Sequence, residues 1–170
     1  YYLMRDMVLG MDANFTVDSF IKRYNSDLAN DYGNLVNRVT MLIQKYFNGE
    51  IPKSGEYSEA DLELIANAKT IPQNVKKFFV EMRIHDAIET TLSLMRKINA
   101  YLEIKTPWKT IKEDHTQKSS AATTLALSAD VLRICSQLLH PIMPNKTQSI
   151  LEVLGASSIP LSDTSLGKLK

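Results

Sequence analysis

The feature that most constrains the fold is the spacing of apolar residues, which repeats every three or four positions along most of the chain. In residues 17–48 this spacing links Phe20, Tyr24, Leu28, Tyr32, Leu35, Val39, Leu42 and Tyr46. Steps of three and four place side chains on one face of a helix, whereas a half-buried strand shows steps of two. Because no period-two pattern occurs in the sequence, it predicts an all-α protein.

The same spacing predicts five helices, over residues 17–48, 58–82, 86–104, 119–139 and 144–155. Ser58 with Asp61 resembles a capping box, and Pro72 should kink or break the second helix. Residues 105–118 (KTPWKTIKEDHTQK) indicate a polar loop, and residues 156–170 a Ser-rich tail that either packs back or trails. Five amphipathic helices with short connections predict an antiparallel bundle of about five helices.

Length and composition fit one helical domain. The chain has 170 residues, 44 % of them apolar, which suffices for a core. We expect residues 1–16 to be the end of a linker, 17–155 the helical domain and 156–170 a C-terminal tail. The abrupt start inside an apolar segment indicates a piece of a larger protein. One Cys excludes an internal disulfide and fits a reducing compartment such as the cytoplasm.

A second seam follows the first predicted helix, formed by Asp27, Asp31, Asn34 and Arg38. Residues at i and i+4 lie roughly 5–6 Å apart on one helix face, so Asn34 and Arg38 can reach one object together. An amide with a guanidinium offers donors and an acceptor, which suits the edge of a nucleotide base. Spacing alone leaves the alternative of a solvated polar stripe with an Asp–Arg pair.

Trp108 is the only tryptophan, and it follows Pro107 in the predicted polar loop between Lys105 and Lys109. Single-stranded RNA is bound by stacking bases on aromatic rings, while lysines contact backbone phosphates. The alternative is a ring that covers the end of the bundle. The net charge of +1 makes no case for non-specific binding to nucleic acid.

Motifs of catalysis and metal binding are missing from the sequence. It contains neither a phosphate-binding G-x-x-x-x-G-K loop nor a Gly-rich nucleotide fingerprint. One Cys and three dispersed His do not form a zinc-binding pattern. Cys135 lies on an apolar helix face, which favours packing over reactivity. We therefore expect neither a catalytic site nor a metal site in this chain.

Three stretches carry a family resemblance: LANDYGNLVNR at 28–38, NAYLEIKTPW at 99–108, and PIMP with a later LG at 141–155. In this order they resemble the anticodon-binding domain of bacterial-type methionyl-tRNA synthetases, which are class I enzymes. The resemblance implies a helical bundle in which Trp108 stacks on the first anticodon base and Asn34 and Arg38 hydrogen-bond anticodon bases. It implies supporting roles for Asn99, Pro107, Lys105 and Lys109.

The resemblance also implies partners beyond this chain. The parent enzyme would attach methionine to tRNA with ATP, in a catalytic domain that would hold ATP, magnesium and any zinc. The expected partners are that missing domain and the CAU anticodon loop of methionine tRNA, in the cytoplasm, without DNA or membrane. Two alternatives remain: the anticodon-binding domain of a related class I synthetase, and a helical protein-interaction module. The latter predicts Asn34, Arg38 and Trp108 on unrelated surfaces.

Overall fold

The structure is a computed structural model that describes residues 1–113, 118–157, 159–160, 163–165 and 167, with backbone alone for 112 and 113. These residues form helices and no strand. The helices are α1 (Tyr2–Asp6), α2 (Val17–Arg23), a π-helix (Tyr24–Gly33), α3 (Asn34–Phe47), α4 (Glu59–Val80), α5 (Ile84–Lys105), α6 (Pro107–Glu113), α7 (Lys118–Leu139) and α8 (Pro144–Val153). The predicted all-α bundle is confirmed, and α1 and α6 were not predicted.

Helix α7 is the centre of the bundle. It contacts α3, α4, α5, α6 and α8, and every residue from 121 to 139 is buried. Many of its residues are Ala, Ser and Thr, whose small side chains let neighbouring helices approach on all sides. Its buried charges are paired: Arg133 Nε donates to Asp130 Oδ1 at 2.8 Å, and Arg133 Nη1 to Gln137 Oε1 at 2.8 Å. A buried ion pair is tolerated only with such partners.

Two helix starts agree with the sequence, and of the kink or break predicted at Pro72 the break is wrong. Thr16 Oγ1 accepts a hydrogen bond from the backbone N–H of Ser19 at 3.1 Å. The capping box of Ser58 and Asp61 is present at the start of α4. Helix α4 continues through Pro72, because that residue is buried in the bundle and packing compensates for the lost backbone hydrogen bond.

The predicted helix 17–48 is helical as far as Phe47 but not uniform, since a π-helix lies between α2 and α3. A π-helix bonds residue i to i+5, so it shifts the phase of the residues before it relative to those after it. Asp27, predicted on the outward polar seam, is therefore buried, with 3 % of its surface exposed. Phe20 and Tyr24, predicted on the apolar stripe, are exposed, while Ile43 joins the core.

The prediction of a loop over residues 105–118 is wrong where α6 forms, and residues 114–117 lie outside the described part. Pro107 is the first residue of α6, a position where its missing N–H costs nothing. Ile111, one turn further on, is buried, and α6 contacts α7. Burial of Ile111 therefore helps to fix a short helix that the polar sequence did not indicate.

The described part of the tail packs back onto α7. Arg133 donates to the carbonyl oxygen of Ser165, and the N–H of Gly167 donates to Asp130. Gln137 Nε2 donates to the carbonyl oxygen of Ser157 at 3.3 Å. Polar groups buried on α7 thus form hydrogen bonds with the tail. Residues 158, 161–162, 166 and 168–170 lie outside the described part of the chain. The division of the chain at residues 16 and 155 stays a prediction.

Candidate functional site

A polar cleft of about 560 Å³ lies between the first helical run and α5. Its lining is rich in amides and consists of Asn30, Asp31, Asn34, Asn37, Arg38, Asn99 and Glu103. Each amide offers two N–H donors and one acceptor oxygen, so such a lining can match the mixed donors and acceptors of a base edge. Sequence analysis identified Asn34, Arg38 and Asn99 here but missed Asn30, Asn37 and Glu103.

Arg38 joins this cleft to Trp108. Its guanidinium carbon lies 5.1 Å from the centroid of the indole ring, within the range of a cation–π contact. Its Nη2 lies 2.7 Å from Glu103 Oε1. Trp108 is half-buried and packs against the core. Residues from α3 and α6, far apart in the sequence, therefore meet at one place.

Asn34 and Asn99 have different environments within the cleft. Asn34 is exposed and lies one helical turn before Arg38, so its amide is accessible from solvent. Asn99 is half-buried, and its Nδ2 donates to the carbonyl oxygen of Asp31 at 3.3 Å. Asn99 thus holds the backbone of the π-helix against α5.

The predicted lysines also differ. Lys109 is exposed on α6. Lys105 is engaged within the protein, because its Nζ lies 3.2 Å from Asp61 Oδ1 and 3.0 Å from Ser58 Oγ. Pro107 is buried at the start of α6. Of the two lysines, Lys109 is therefore the one whose ammonium can meet a phosphate without breaking an internal ion pair.

An ion-pair network extends from the cleft to the N-terminal segment. Arg96 Nε lies 2.9 Å from Asp31 Oδ2, and Arg96 Nη1 lies 2.8 Å from Glu89 Oε1. The hydrogen bond from Arg96 holds the pKa of Glu89 below its ordinary value. Arg5 pairs with Glu89 and with the buried carboxylate of Asp27. No sequence pattern indicated this network, since three of its four pairs, Arg96–Asp31, Arg5–Glu89 and Arg5–Asp27, join residues more than twenty positions apart.

The described part of the chain also bears on the sequence expectations for metal ligands and for Cys135. Within it, no three His, Cys, Asp or Glu side chains are grouped so that they could hold a metal ion. Burial raises the pKa of the Cys135 thiol, which makes it unreactive and fits the predicted packing role. None of the described helices has the length and apolar character needed to cross a bilayer.

A helical bundle with an amide-rich cleft, a guanidinium and a partly exposed aromatic ring has the features of a domain that binds single-stranded RNA. Comparison with protein families makes this class specific. Residues 51–168 match the model of the anticodon binding domain of methionyl tRNA ligase, and residues 1–40 match that of the class I tRNA synthetases for methionine. The chain therefore belongs to the family of anticodon-binding domains of methionyl-tRNA ligases.

Individual relatives agree with this assignment. The chain is 35 % identical over 155 residues to a methionine–tRNA ligase of Caldanaerobacter subterraneus subsp. tengcongensis, covering 91 % of this chain and 24 % of that protein. It is 37 % identical over 155 residues to the enzyme of Deinococcus radiodurans, covering 91 % of this chain and 23 % of the relative. The chain thus spans about a quarter of the length of these curated relatives.

Solved structures support the fold over the whole chain. The crystal structure of the apo form of Mycobacterium tuberculosis methionyl-tRNA synthetase matches with a TM-score of 0.91 and 29 % identity, covering 100 % of this chain and 36 % of that one. A structure of the same enzyme bound by methionyl-adenylate matches with a TM-score of 0.91 and 30 % identity, covering 98 % and 35 %.

Proposed function

We propose that this chain reads the CAU anticodon of methionine tRNA as part of a methionine–tRNA ligase. The observation that carries the proposal is the contact of Arg38 with Trp108 beside Asn34, at the end of an amide-rich cleft. A protein-interaction module gave no reason for these three side chains to lie together. Membership of the anticodon-binding family supports the same function.

Each of the three residues has a distinct task in this proposal. Trp108 offers a ring face on which the first anticodon base stacks. Arg38 is held beside that ring, and its donors, now directed to Glu103 at 2.7 Å, turn to acceptor atoms of a base edge. Asn34 supplies a donor and an acceptor one turn away. Lys109 contacts a phosphate, which positions the loop without reading its sequence.

The rest of the reaction belongs to a part of the parent enzyme outside this chain. Attachment of methionine to tRNA needs sites for methionine and ATP, and we place these, with magnesium and any zinc, in the catalytic domain. That domain is the second proposed partner, in the cytoplasm. Exposed apolar residues of the N-terminal segment, such as Leu9 at 62 %, Met11 at 70 % and Phe15 at 58 %, fit a surface that it covers.

The proposal is tested by titrating the chain with a methionine-tRNA anticodon stem-loop and with a loop changed in one anticodon base. We expect tighter binding of the cognate loop, and Arg38→Ala should reduce the discrimination by about 1–3 kcal/mol, because a base contact carries sequence information. Equal binding of both loops would contradict anticodon reading. Stem-loops of valine or isoleucine tRNA test for a related specificity.

Arg83→Ala is the matched control. Arg83 is an exposed arginine next to the first residue of α5, whereas the cleft lies near the last turns of that helix. A helix of 22 residues is about 33 Å long, so Arg83 is far from the proposed RNA site. Loss of one surface charge there should leave the discrimination unchanged. If Arg38→Ala and Arg83→Ala lost discrimination equally, the effect of Arg38→Ala would come from the lost positive charge and not from a base contact.

A further inference from the structure

The position of Trp108 is set by a turn of one residue. Thr106 has φ 38° and ψ 53°, in the left-handed region that β-branched residues rarely adopt. It also precedes Pro107, a position where helical backbone angles are disfavoured. The N–H of Thr106 donates to Leu102 O at 2.9 Å, and its carbonyl accepts from Lys109 N at 2.8 Å. One strained residue therefore ends α5 and starts α6.

A strained backbone conformation persists only where its surroundings over-determine it. Here the last turn of α5 is tied to the first turn of α4 through the buried carboxylate of Asp61. Tyr101 OH donates to Asp61 Oδ1 at 2.6 Å, and Lys105 Nζ lies 3.2 Å from the same oxygen. The backbone N–H of Ser58 donates to Asp61 Oδ2 at 2.7 Å, which fixes the carboxylate itself.

The other side of the turn is held by packing. Ile111 buries its side chain where α6 meets α7, one helical turn beyond Trp108. Thr110 Oγ1 donates to the carbonyl oxygens of Lys105 and Thr106, both at 3.3 Å. With α5 anchored through Asp61 and α6 through Ile111, the turn between them has little freedom. The indole ring is then confined to its place beside Arg38.

We propose that Asp61 is a positioning residue for Trp108: it fastens the end of α5 to α4 and so maintains the Thr106 turn that directs the ring toward Arg38. Asp61 does not line the cleft and is 1 % exposed, so it affects the ring only indirectly, through its bonds to Tyr101 and Lys105 of α5 and to Ser58 at the start of α4. The consequence for RNA rests on the proposed function, whereas the confinement of the ring is a property of the chain alone.

The test uses Asp61→Asn and the fluorescence of Trp108, which is the only tryptophan. Weaker ties at the end of α5 should lower the steady-state anisotropy of the ring and shift its emission. Affinity for the cognate stem-loop should fall by about 5- to 10-fold, a part of what stacking of one base contributes. The matched control is Glu63→Gln, which removes the same charge from an exposed position on α4 and should change neither quantity.

The sign of the effect separates positioning from electrostatics. Removing a negative charge from an RNA-binding protein strengthens its attraction for phosphates, so weaker binding of Asp61→Asn has no electrostatic explanation. Lower stability is controlled by Leu151→Val, which removes a methylene from the buried face of α8. All variants are measured at a temperature where each is folded. Leu151→Val should keep the original anisotropy and affinity.

Unchanged anisotropy in folded Asp61→Asn would overturn the proposal, and so would a more mobile ring with unchanged affinity. Failure of the proposed function looks different, because Trp108→Ala would then bind the stem-loop normally. In that case the anisotropy of Asp61→Asn still decides whether the carboxylate confines the ring. If Trp108→Ala loses binding while Asp61→Asn keeps both quantities, only the positioning role is wrong.

Discussion

The surroundings of Trp108 combine features of the two alternatives that the sequence left open, a ring that packs on the bundle and a ring that stacks on a base. The ring packs against the core, and it also contacts the guanidinium of Arg38. Trp108→Ala should lower affinity for the cognate stem-loop by about 5- to 150-fold, since stacking of one base is worth roughly 1–3 kcal/mol. The melting temperature should fall as well, because core contacts are lost. Trp108→Phe should retain part of both, as a smaller ring still packs and stacks.

Calorimetric titration and thermal unfolding of the same variants separate the two contributions. Affinity is compared well below the melting temperature of Trp108→Ala, where loss of binding cannot come from unfolding. Normal affinity of that folded variant would leave Trp108 with a packing role only. Lys109→Ala serves as the comparison on α6: it removes the proposed phosphate contact and should weaken binding of the cognate and mutant loops equally.

The candidate site residues that the sequence could indicate are those of a rare type or with a local spacing. Trp108 is the only tryptophan, and Asn34 and Arg38 are one turn apart. The partners of these residues were not predictable, because they depend on tertiary contacts. Lys105 was expected to meet phosphate but pairs with Asp61, which is 44 positions away.

Sequence analysis missed the π-helix, as it missed α1 and α6, and the π-helix changes which side chains of the first helical run are buried. The prediction assumed the α-helical period of 3.6 residues throughout residues 17–48, but the backbone of Tyr24–Gly33 forms the i to i+5 hydrogen bonds of a π-helix. Tyr32, Leu35 and Val39 of the predicted stripe are buried, whereas Phe20 and Tyr24, which lie before the π-helix and at its first residue, are exposed. The carboxylate of Asp27 can be buried because Arg5 forms an ion pair with it and the hydroxyl of Tyr1 donates a hydrogen bond to it.

Asp27→Ala should show what this phase shift contributes to stability. Removing one partner of a buried pair costs about 3–5 kcal/mol, and the lower end applies because Arg5 keeps its contact with Glu89. Denaturant unfolding measures the change, with Asp12→Ala, in the exposed segment before α2, as the control that should have almost no effect. A loss below about 1 kcal/mol, typical of surface pairs, would contradict the structural role of Asp27.

For the whole molecule, acid should destabilise the fold through Asp61. Burial alone would raise the pKa of this carboxyl, but hydrogen bonds from Tyr101, Ser58 and Lys105 hold it below its ordinary value. A carboxyl with a lowered pKa stabilises the fold above its unfolded pKa of about 3.9. That contribution is lost as the pH falls through the folded pKa.

Denaturant unfolding between pH 7 and pH 3 measures this loss, and Asp61→Asn should be less stable at pH 7 and lose less stability in acid. Glu63→Gln, which changes an exposed carboxylate, should retain the original pH dependence. If the free energy of unfolding depended on pH identically in Asp61→Asn and the unaltered chain, the ionised form of Asp61 would not stabilise the fold.

The distribution of charge over the molecule predicts weak, only moderately salt-dependent binding of RNA. The net charge is +1, and several cations near the cleft are already paired, Arg38 with Glu103, Arg96 with Asp31 and Lys105 with Asp61. Each single-strand phosphate that is neutralised adds about −0.7 to the slope of log affinity against log salt. Two to four contacts would therefore give a slope of about −1.4 to −2.8.

Titrations of the cognate stem-loop over a range of salt concentrations measure this slope. Lys109→Ala should make it less steep by about 0.7, the loss of one phosphate contact. Glu103→Gln should leave the slope nearly unchanged, because it removes a partner of Arg38 and Arg38 is assigned to a base, not to a phosphate. A slope near −7, equivalent to about ten contacts, would require an extended basic surface. Such a surface is not formed by the residues that the structure describes around this cleft, so recognition would then have to extend to other parts of the parent enzyme or of the chain.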